Sequence, residues 1–224
     1  MQNFRVITLE TIIVLIVMFY IFYKFYFLRN PARETPNNND ILVSPANWKI
    51  ISIIQQNDLT NNDKILYKKY KKVIDDRTEW FTGATLISIM MTPRNVHYQK
   101  APTKAKLITQ TYQKGKFFNA TKTKKDMRST FQNEYNNMLF ETAEWFYFRV
   151  IQIAWALARR IVPELEINEE VTQWQRIWLI KLWSQVSFII DNNYEIIANI
   201  WDKVIDWETI IAKKKQSKYN FQNS

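Results

Sequence analysis

Between Ile7 and Leu28 apolar side chains follow one another with neither a helical nor a strand period, and the strongly polar residues are Glu10 and Lys24, near the two ends. A hydrocarbon core takes about 20 such residues to cross, so the pattern predicts a membrane helix. Tyr20, Tyr23 and Tyr26 suit an interfacial aromatic belt, and Lys24 can extend its ammonium toward water. The uninterrupted apolar part, Ile12 to Tyr23, is short, which leaves an interfacial or re-entrant helix open. Bulky residues and Arg29 follow where a signal peptide would carry small residues for cleavage, which favours an anchor. Basic residues are denser after the stretch (Lys24, Arg29, Arg33) than before it (Arg5), placing the main domain on the cytoplasmic side of a cell membrane.

After residue 40 the pattern changes to short β-branched or aromatic runs bounded by turn-like clusters. Strands are expected at Ile41–Ser44, Lys49–Ile54, Thr85–Met91, Ala105–Tyr112, Met138–Thr142, Phe146–Ile153, Gln175–Leu182, Gln185–Ile190, Tyr194–Ile200 and Thr209–Lys213. Periodicity leaves Lys64 to Ile74 open between helix and strand, and Thr121 to Tyr135 is polar enough for loop or short helix. The expected fold is a mainly β, β-rich α+β single domain preceded by one N-terminal transmembrane or membrane-interface helix. Its divisions are an anchor over 1–29, a Pro- and Asn-rich linker over 30–40, the β-rich domain over 41–213 and a basic polar tail over 214–224.

Composition narrows the chemistry. The chain has no cysteine, which removes disulfides, thiolate metal sites and a cysteine nucleophile, and no metal site is expected with His97 as the single histidine. A formal charge of +10 suits an anionic partner. Because the basic residues are dispersed and an anchor precedes them, an anionic membrane surface is expected rather than nucleic acid. No phosphate-binding glycine loop, HExxH or G-x-S-x-G is present, and no spacing supports a serine–histidine–aspartate hydrolase.

Glycine is the anomaly: the chain has 2 glycines against 9 tryptophans, where ordinary usage gives about 16 glycines. Asn47-Trp48 and Asp206-Trp207 stand between apolar runs where Asn-Gly and Asp-Gly would be hairpin signals. An indole gains nothing in such a turn and is sterically penalised there.

Several blocks, in order, resemble the short-type phosphatidylserine decarboxylases. Phe27-Leu28-Arg29-Asn30-Pro31 is similar to the Phe-Arg-Asp-Pro that follows the anchor in that family, and Ser44-Pro45-Ala46-Asn47-Trp48-Lys49 to its Ser-Pro-Ala-Asp-Gly-Lys turn. Ile87 to His97 followed by Ala101-Pro102 resembles its strand and histidine loop, and Gly115-Lys116-Phe117 and Gln132 to Asn136 resemble two further blocks. Gln152-Ile153-Ala154-Trp155 with Ala158-Arg159-Arg160-Ile161 looks like its Gln-Ile-Ala-Gly and Ala-Arg-Arg-Ile, and Arg176 to Ser184 like the segment that carries a Gly-Ser self-cleavage junction. The resemblance runs from about Phe27 to Lys213. Trp48, Trp155, Trp178 and Trp183 stand at family glycine positions, and Trp80, Trp145, Trp174, Trp201 and Trp207 in contexts that suit glycine. One cause would cover all nine, UGA codons that the source reads as glycine translated as tryptophan; the alternative is a natural chain that has lost its turn glycines to true tryptophans.

The resemblance implies an enzyme that decarboxylates phosphatidylserine, or a related serine phospholipid, to the ethanolamine lipid. It implies cleavage between Trp183 and Ser184 and a covalent pyruvoyl cofactor made from Ser184. His97 stands at the family's histidine position, and an imidazole with an ordinary pKa near 6.5 suits acid–base work. Asn47 departs from the family's aspartate, which is implicated in self-processing, and Gln113 stands where related sequences often have histidine. Those departures keep a second reading in play, a non-catalytic, membrane-tethered β-domain of the same fold. The oligomeric state, homo-oligomer included, stays open.

Overall fold

The structure is a computed structural model and describes residues 2–36, 38–55, 83–116, 133–154, 161–163, 165–173, 175–180 and 184–215. The expectations for Lys64 to Ile74, and for Thr121 onward as far as residue 132, lie outside these residues. Helix α1 (Gln2–Ile21) continues into a π-helical turn, Phe22–Phe27, closed by Leu28 N–H donating to the Tyr23 carbonyl. Thr8–Phe27 is long and apolar enough to cross a membrane, with Leu9, Ile16 and Phe25 each 60% or more exposed.

Fourteen strands follow among the described residues. The largest sheet has eight: β13 (Lys203–Val204), β2 (Trp48–Gln55), β3 (Thr85–Met91), β11 (Ser184–Ile190), β7 (Tyr147–Ala154), β6 (Tyr135–Glu141), β5 (Ala105–Gln113) and β9 (Glu170–Val171), in that order. β4 (Tyr98–Lys100), β10 (Arg176–Ile180) and β8 (Ile161–Pro163) form a second sheet in the order β4-β10-β8. β1 (Ile41–Val43), β14 (Ile210–Lys214) and β12 (Tyr194–Ile196) form a third in the order β1-β14-β12. All the strand pairs are antiparallel. The fold is therefore β-rich behind one apolar helix.

Each expected strand has its counterpart, and Thr85–Met91 has the expected bounds. β4, β8, β9 and β13 were not foreseen; at two or three residues they carry no period to read. The run expected over Tyr194–Ile200 stops at Ile196 because the chain turns at Asn199–Asp202, with Asp202 N–H on the Asn199 carbonyl.

β11 is the middle of the large sheet. All seven of its residues are buried, and all seven pair with β3 on one side and β7 on the other. Alternation sends Val186, Phe188 and Ile190 into the main core, where they meet Ile87, Ile89, Phe148 and Val150 and where Leu42, Ile177 and Ile211 arrive from the two smaller sheets. Ile189 faces a second cluster with Tyr135, Ile151 and Ile153.

The corners bear on the missing glycines. Of the five tryptophans whose backbone is described, four have positive φ: Trp48 (128°), Trp145 (63°), Trp201 (80°) and Trp207 (71°). The others with positive φ are Asn168 and Gly83, residue types that enter this region readily. Trp145 closes the β6–β7 hairpin, where its N–H donates to the Thr142 carbonyl and Thr142 N–H to the Phe146 carbonyl. That is the left-handed position after a tight turn, normally glycine. At Trp207 the Lys100 ammonium lies 2.5 Å from the ring centroid, inside the separation of about 3.5–4 Å at which non-bonded atoms pack. Trp207 Nε1 is buried without a hydrogen-bond partner among the described residues. Backbone and packing at these corners fit glycine, not tryptophan. Trp178 lies in β10 beside a register shift between Arg176 and Trp178, and a bulge is where a strand tolerates glycine.

Candidate active site

Ser184 opens β11. Its Cα partners are Met91 in β3 and Ala154 in β7, so its side chain shares their face of the sheet, toward the main core. The residue is 2% exposed, and its hydroxyl has no hydrogen-bond partner among the described residues. A buried hydroxyl left without a bond costs about 1–3 kcal/mol, so its retention here points to a chemical use. Residue 183 lies outside the described residues.

The loop after β3 carries His97. Asn95 shapes the turn: its N–H donates to the Thr92 carbonyl, and its side-chain Oδ1 accepts from the Thr92 N–H and hydroxyl. His97 is fully buried, with Nδ1 2.8 Å from the Asn95 carbonyl oxygen. A carbonyl only accepts, so Nδ1 carries the proton, and in the neutral ring Nε2 is the basic nitrogen. Phe27, the last residue of the π turn that ends the apolar N-terminal helix, covers the ring at a centroid separation of 4.1 Å and a tilt of 31°.

Gln99 ties this loop to the serine end of the sheet. Its Nε2 donates to the His97 carbonyl at 2.7 Å and reaches Met91 Sδ at 3.7 Å, while Oε1 accepts from Gln152 Nε2 at 2.8 Å. Gln152 Oε1 in turn accepts from Asn136 Nδ2. These buried amides form one polar chain through the core, leading from Asn136 to the neighbours of Ser184. Gln99 was not singled out from the sequence. The available signal was its spacing two residues after His97, which on an extended strand faces the same way.

Asn47 ends the turn between β1 and β2 and is half-buried. Lys49, Met90 and Gln185 share a row across β2, β3 and β11. Asn47 and Ser184 therefore emerge at one end of the sheet, two strand widths or about 10 Å apart. The structure thus brings Ser184, His97 and Asn47 to one end of the large sheet, with Gln99 between the first two. Gln113, the last residue of β5, stands in the same row as Tyr135, Ile153 and Gln185, so it reaches the same end of the sheet three strand widths, or about 14 Å, from β11; it is exposed and accepts from the Tyr135 hydroxyl.

Beside the Ser44–Asn47 turn, where Lys100 N–H donates to the Pro45 carbonyl, is a buried charge cluster. Arg33 pairs with Asp206 at 3.1 Å, and Lys100 donates to Asn30 Oδ1 at 2.8 Å. Burial lowers the Lys100 ammonium to about 8; Asp206 opposes that shift, and Arg33 and Arg176 add to it. Burial raises the Asp206 carboxyl above its ordinary range, against the pull of Arg33. Residues 30–36 contain no helix or strand, yet Asn30 and Arg33 fasten them to the domain. No group of three or more metal-ligating side chains occurs among the described residues.

The family model described as phosphatidylserine decarboxylase matches residues 22–212. A phosphatidylserine decarboxylase proenzyme from Geotalea uraniireducens (strain Rf4) is 30% identical over 187 residues, covering 84% of this chain and 77% of its own. The proenzyme of the same name from Wolbachia pipientis wMel is 32% identical, covering 84% of this chain and 74% of its own. That from Rickettsia africae (strain ESF-5) is 31% identical over 202 residues, covering 88% and 78%. With the match reaching from the last turn of the apolar N-terminal helix into β14, and so across Ser184, His97 and Asn47, this chain belongs to the phosphatidylserine decarboxylase family.

Proposed function

We propose that this protein is a membrane-anchored carboxy-lyase that converts phosphatidylserine, or a related serine phospholipid, to the ethanolamine lipid after cutting itself before Ser184. The observation that carries the reading is the buried, unpartnered Ser184 hydroxyl at the head of the central strand, at the same end of the sheet as the chain's single histidine.

The cut is chemistry of the chain itself. Ser184 Oγ attacks the carbonyl carbon of residue 183; its proton passes to a base and the peptide nitrogen leaves, giving an ester. Loss of the Ser184 α-proton expels the residue-183 carboxylate, and water then releases ammonia from the new terminus, leaving a pyruvoyl group. The attack needs an uncrowded, bent backbone at 183, as glycine allows. The site fits the group in that Ser184 is buried at the start of its strand, with its hydroxyl unpartnered among the described residues. Once formed, the group supplies an electron sink for the pair left as CO₂ departs. His97 moves protons through Nε2, while its Nδ1 bond to Asn95 sets the ring's direction. The domain lies on the cytoplasmic face, with the basic surface against anionic lipid.

The test uses the full chain with glycine at the nine tryptophan positions. The bond before Ser184 should break without a protease, yielding a small C-terminal chain blocked to Edman sequencing and of the mass expected for a pyruvoyl terminus. Ser184→Ala should stay intact and inactive. Asn47→Asp should speed the cut by supplying the family's carboxylate. A restored chain that stays whole with either residue at 47 overturns the self-cutting reading and favours the non-catalytic one.

A further inference from the structure

The membrane helix does not merely precede the domain; it ends on the histidine. Phe27 is fully buried although its helical neighbours Phe22, Phe25 and Tyr26 are 38%, 69% and 42% exposed. It closes a ladder of rings one helical turn apart: Phe19 to Tyr23 at 6.3 Å, Tyr23 to Phe27 at 5.4 Å and Phe27 to His97 at 4.1 Å. The residues just beyond grip the same loop on both sides. Arg29 Nη2 donates to the Arg94 carbonyl at 2.5 Å, three residues before the histidine, and Asn30 accepts from Lys100 at 2.8 Å, three residues after it.

Among the described residues, two restraints on the imidazole stand out. The Nδ1 bond to Asn95 fixes the direction of one edge, but taken alone it would let the ring rock about that bond. A flat ring against its face removes the rocking. An aliphatic side chain of similar bulk would fill the volume without setting the tilt.

We infer that Phe27 is a positioning residue for His97, so that the seating of the membrane helix sets the orientation of the imidazole. The inference rests on the reading of His97 as the acid–base group. Phe27 packs its ring on the imidazole and acts through the histidine. A misplacement of about 1 Å at a reacting group costs as much as 100-fold in rate, so a ring free to rock is expected to lose about 10-fold or more.

The experiment takes the full-length chain with glycine at the nine positions, in detergent micelles, labelled with ¹³C in the histidine ring. With one histidine in the chain the ring signals need no assignment. Phe27→Leu keeps apolar bulk and Phe27→Tyr keeps the flat ring. Phe27→Leu should lose about 10-fold or more in kcat per cut chain, with KM for phosphatidylserine vesicles, membrane pelleting and melting temperature close to the parent. It should also lose the upfield ring-current displacement of the histidine signals. Phe27→Tyr should recover both the rate and the displacement. Parental kcat in Phe27→Leu, alongside an inactive His97→Ala, overturns the inference and leaves the histidine's role standing. Equal losses in the Leu and Tyr variants also overturn it, since packing alone would then be at stake. Full activity in His97→Ala overturns the acid–base reading and the inference with it.

Discussion

In the middle of the large sheet Ile87, Ile89, Val186 and Phe188 are fully buried in matched antiparallel rows. At four corners of the same domain Trp48, Trp145, Trp201 and Trp207 hold the backbone at positive φ, and two of them, Trp145 and Trp201, are more than half exposed. Inside, side-chain size, period and register all agree. At the corners the backbone calls for one residue type and the sequence writes another. Natural chains agree across these levels away from functional sites, and of these four only Trp48, next to Asn47, adjoins the candidate site. The disagreement is thus about residue identity, and glycine removes it.

The largest effect should come from repairing the corners together. Each residue with a β-carbon in the left-handed region costs about 1–2 kcal/mol, and separated sites add. Glycine at the four positions should therefore raise unfolding stability by about 4–8 kcal/mol, read from denaturant midpoints in micelles, and the coding DNA should show UGA at all nine positions. UGG codons with no gain in midpoint would erase the contrast. Damage to the interior tests the other half. Phe188, fully buried edge-on to Phe148 at 5.7 Å, should cost about 3–5 kcal/mol as Phe188→Ala; a loss near zero would mean that the interior is not as consistent as its register. Next is Trp207→Gly alone, expected to gain about 1–3 kcal/mol by relieving φ and freeing the Lys100 ammonium.

The smallest is a slope with pH. The folded-state pKa of Lys100 is depressed to about 8 from 10.5. Between those values the unfolded chain holds a proton that the folded chain has released, so stability rises with pH across that window. Below pH 8 both states are protonated and the full cost of the buried charge is present. Lys100→Met should flatten the rise in the difference between the two stability curves. Tyr194, raised chiefly by burial, works oppositely above pH 10, and the subtraction cancels it.

Much of this was legible in the chain. Runs such as Thr85–Met91 and Gln185–Ile190 announce themselves because burial on a sheet selects β-branched and aromatic residues locally. Ser184 and His97 were legible through motif order rather than through any period. What stayed hidden depends on partners far along the chain: Gln99 on Gln152, Lys100 on Asn30, Arg33 on Asp206. Asp206 reads as a turn aspartate, and only the fold reveals it as buried against an arginine 173 positions away. Phe27 reads as one more apolar residue of a membrane helix until the loop carrying His97 closes over it.

Because β11 is laced to β3 and β7 along its whole length, a break just ahead of Ser184 would not shed anything. The downstream piece would also be stitched at its far end, where β14 lies against β1 of the upstream piece. Maturation would then resemble cutting a thread already woven into cloth. The two chains should migrate together on a native gel and part only in denaturant, and the new terminus should stay deep in the fabric, where water and stray amines reach it least.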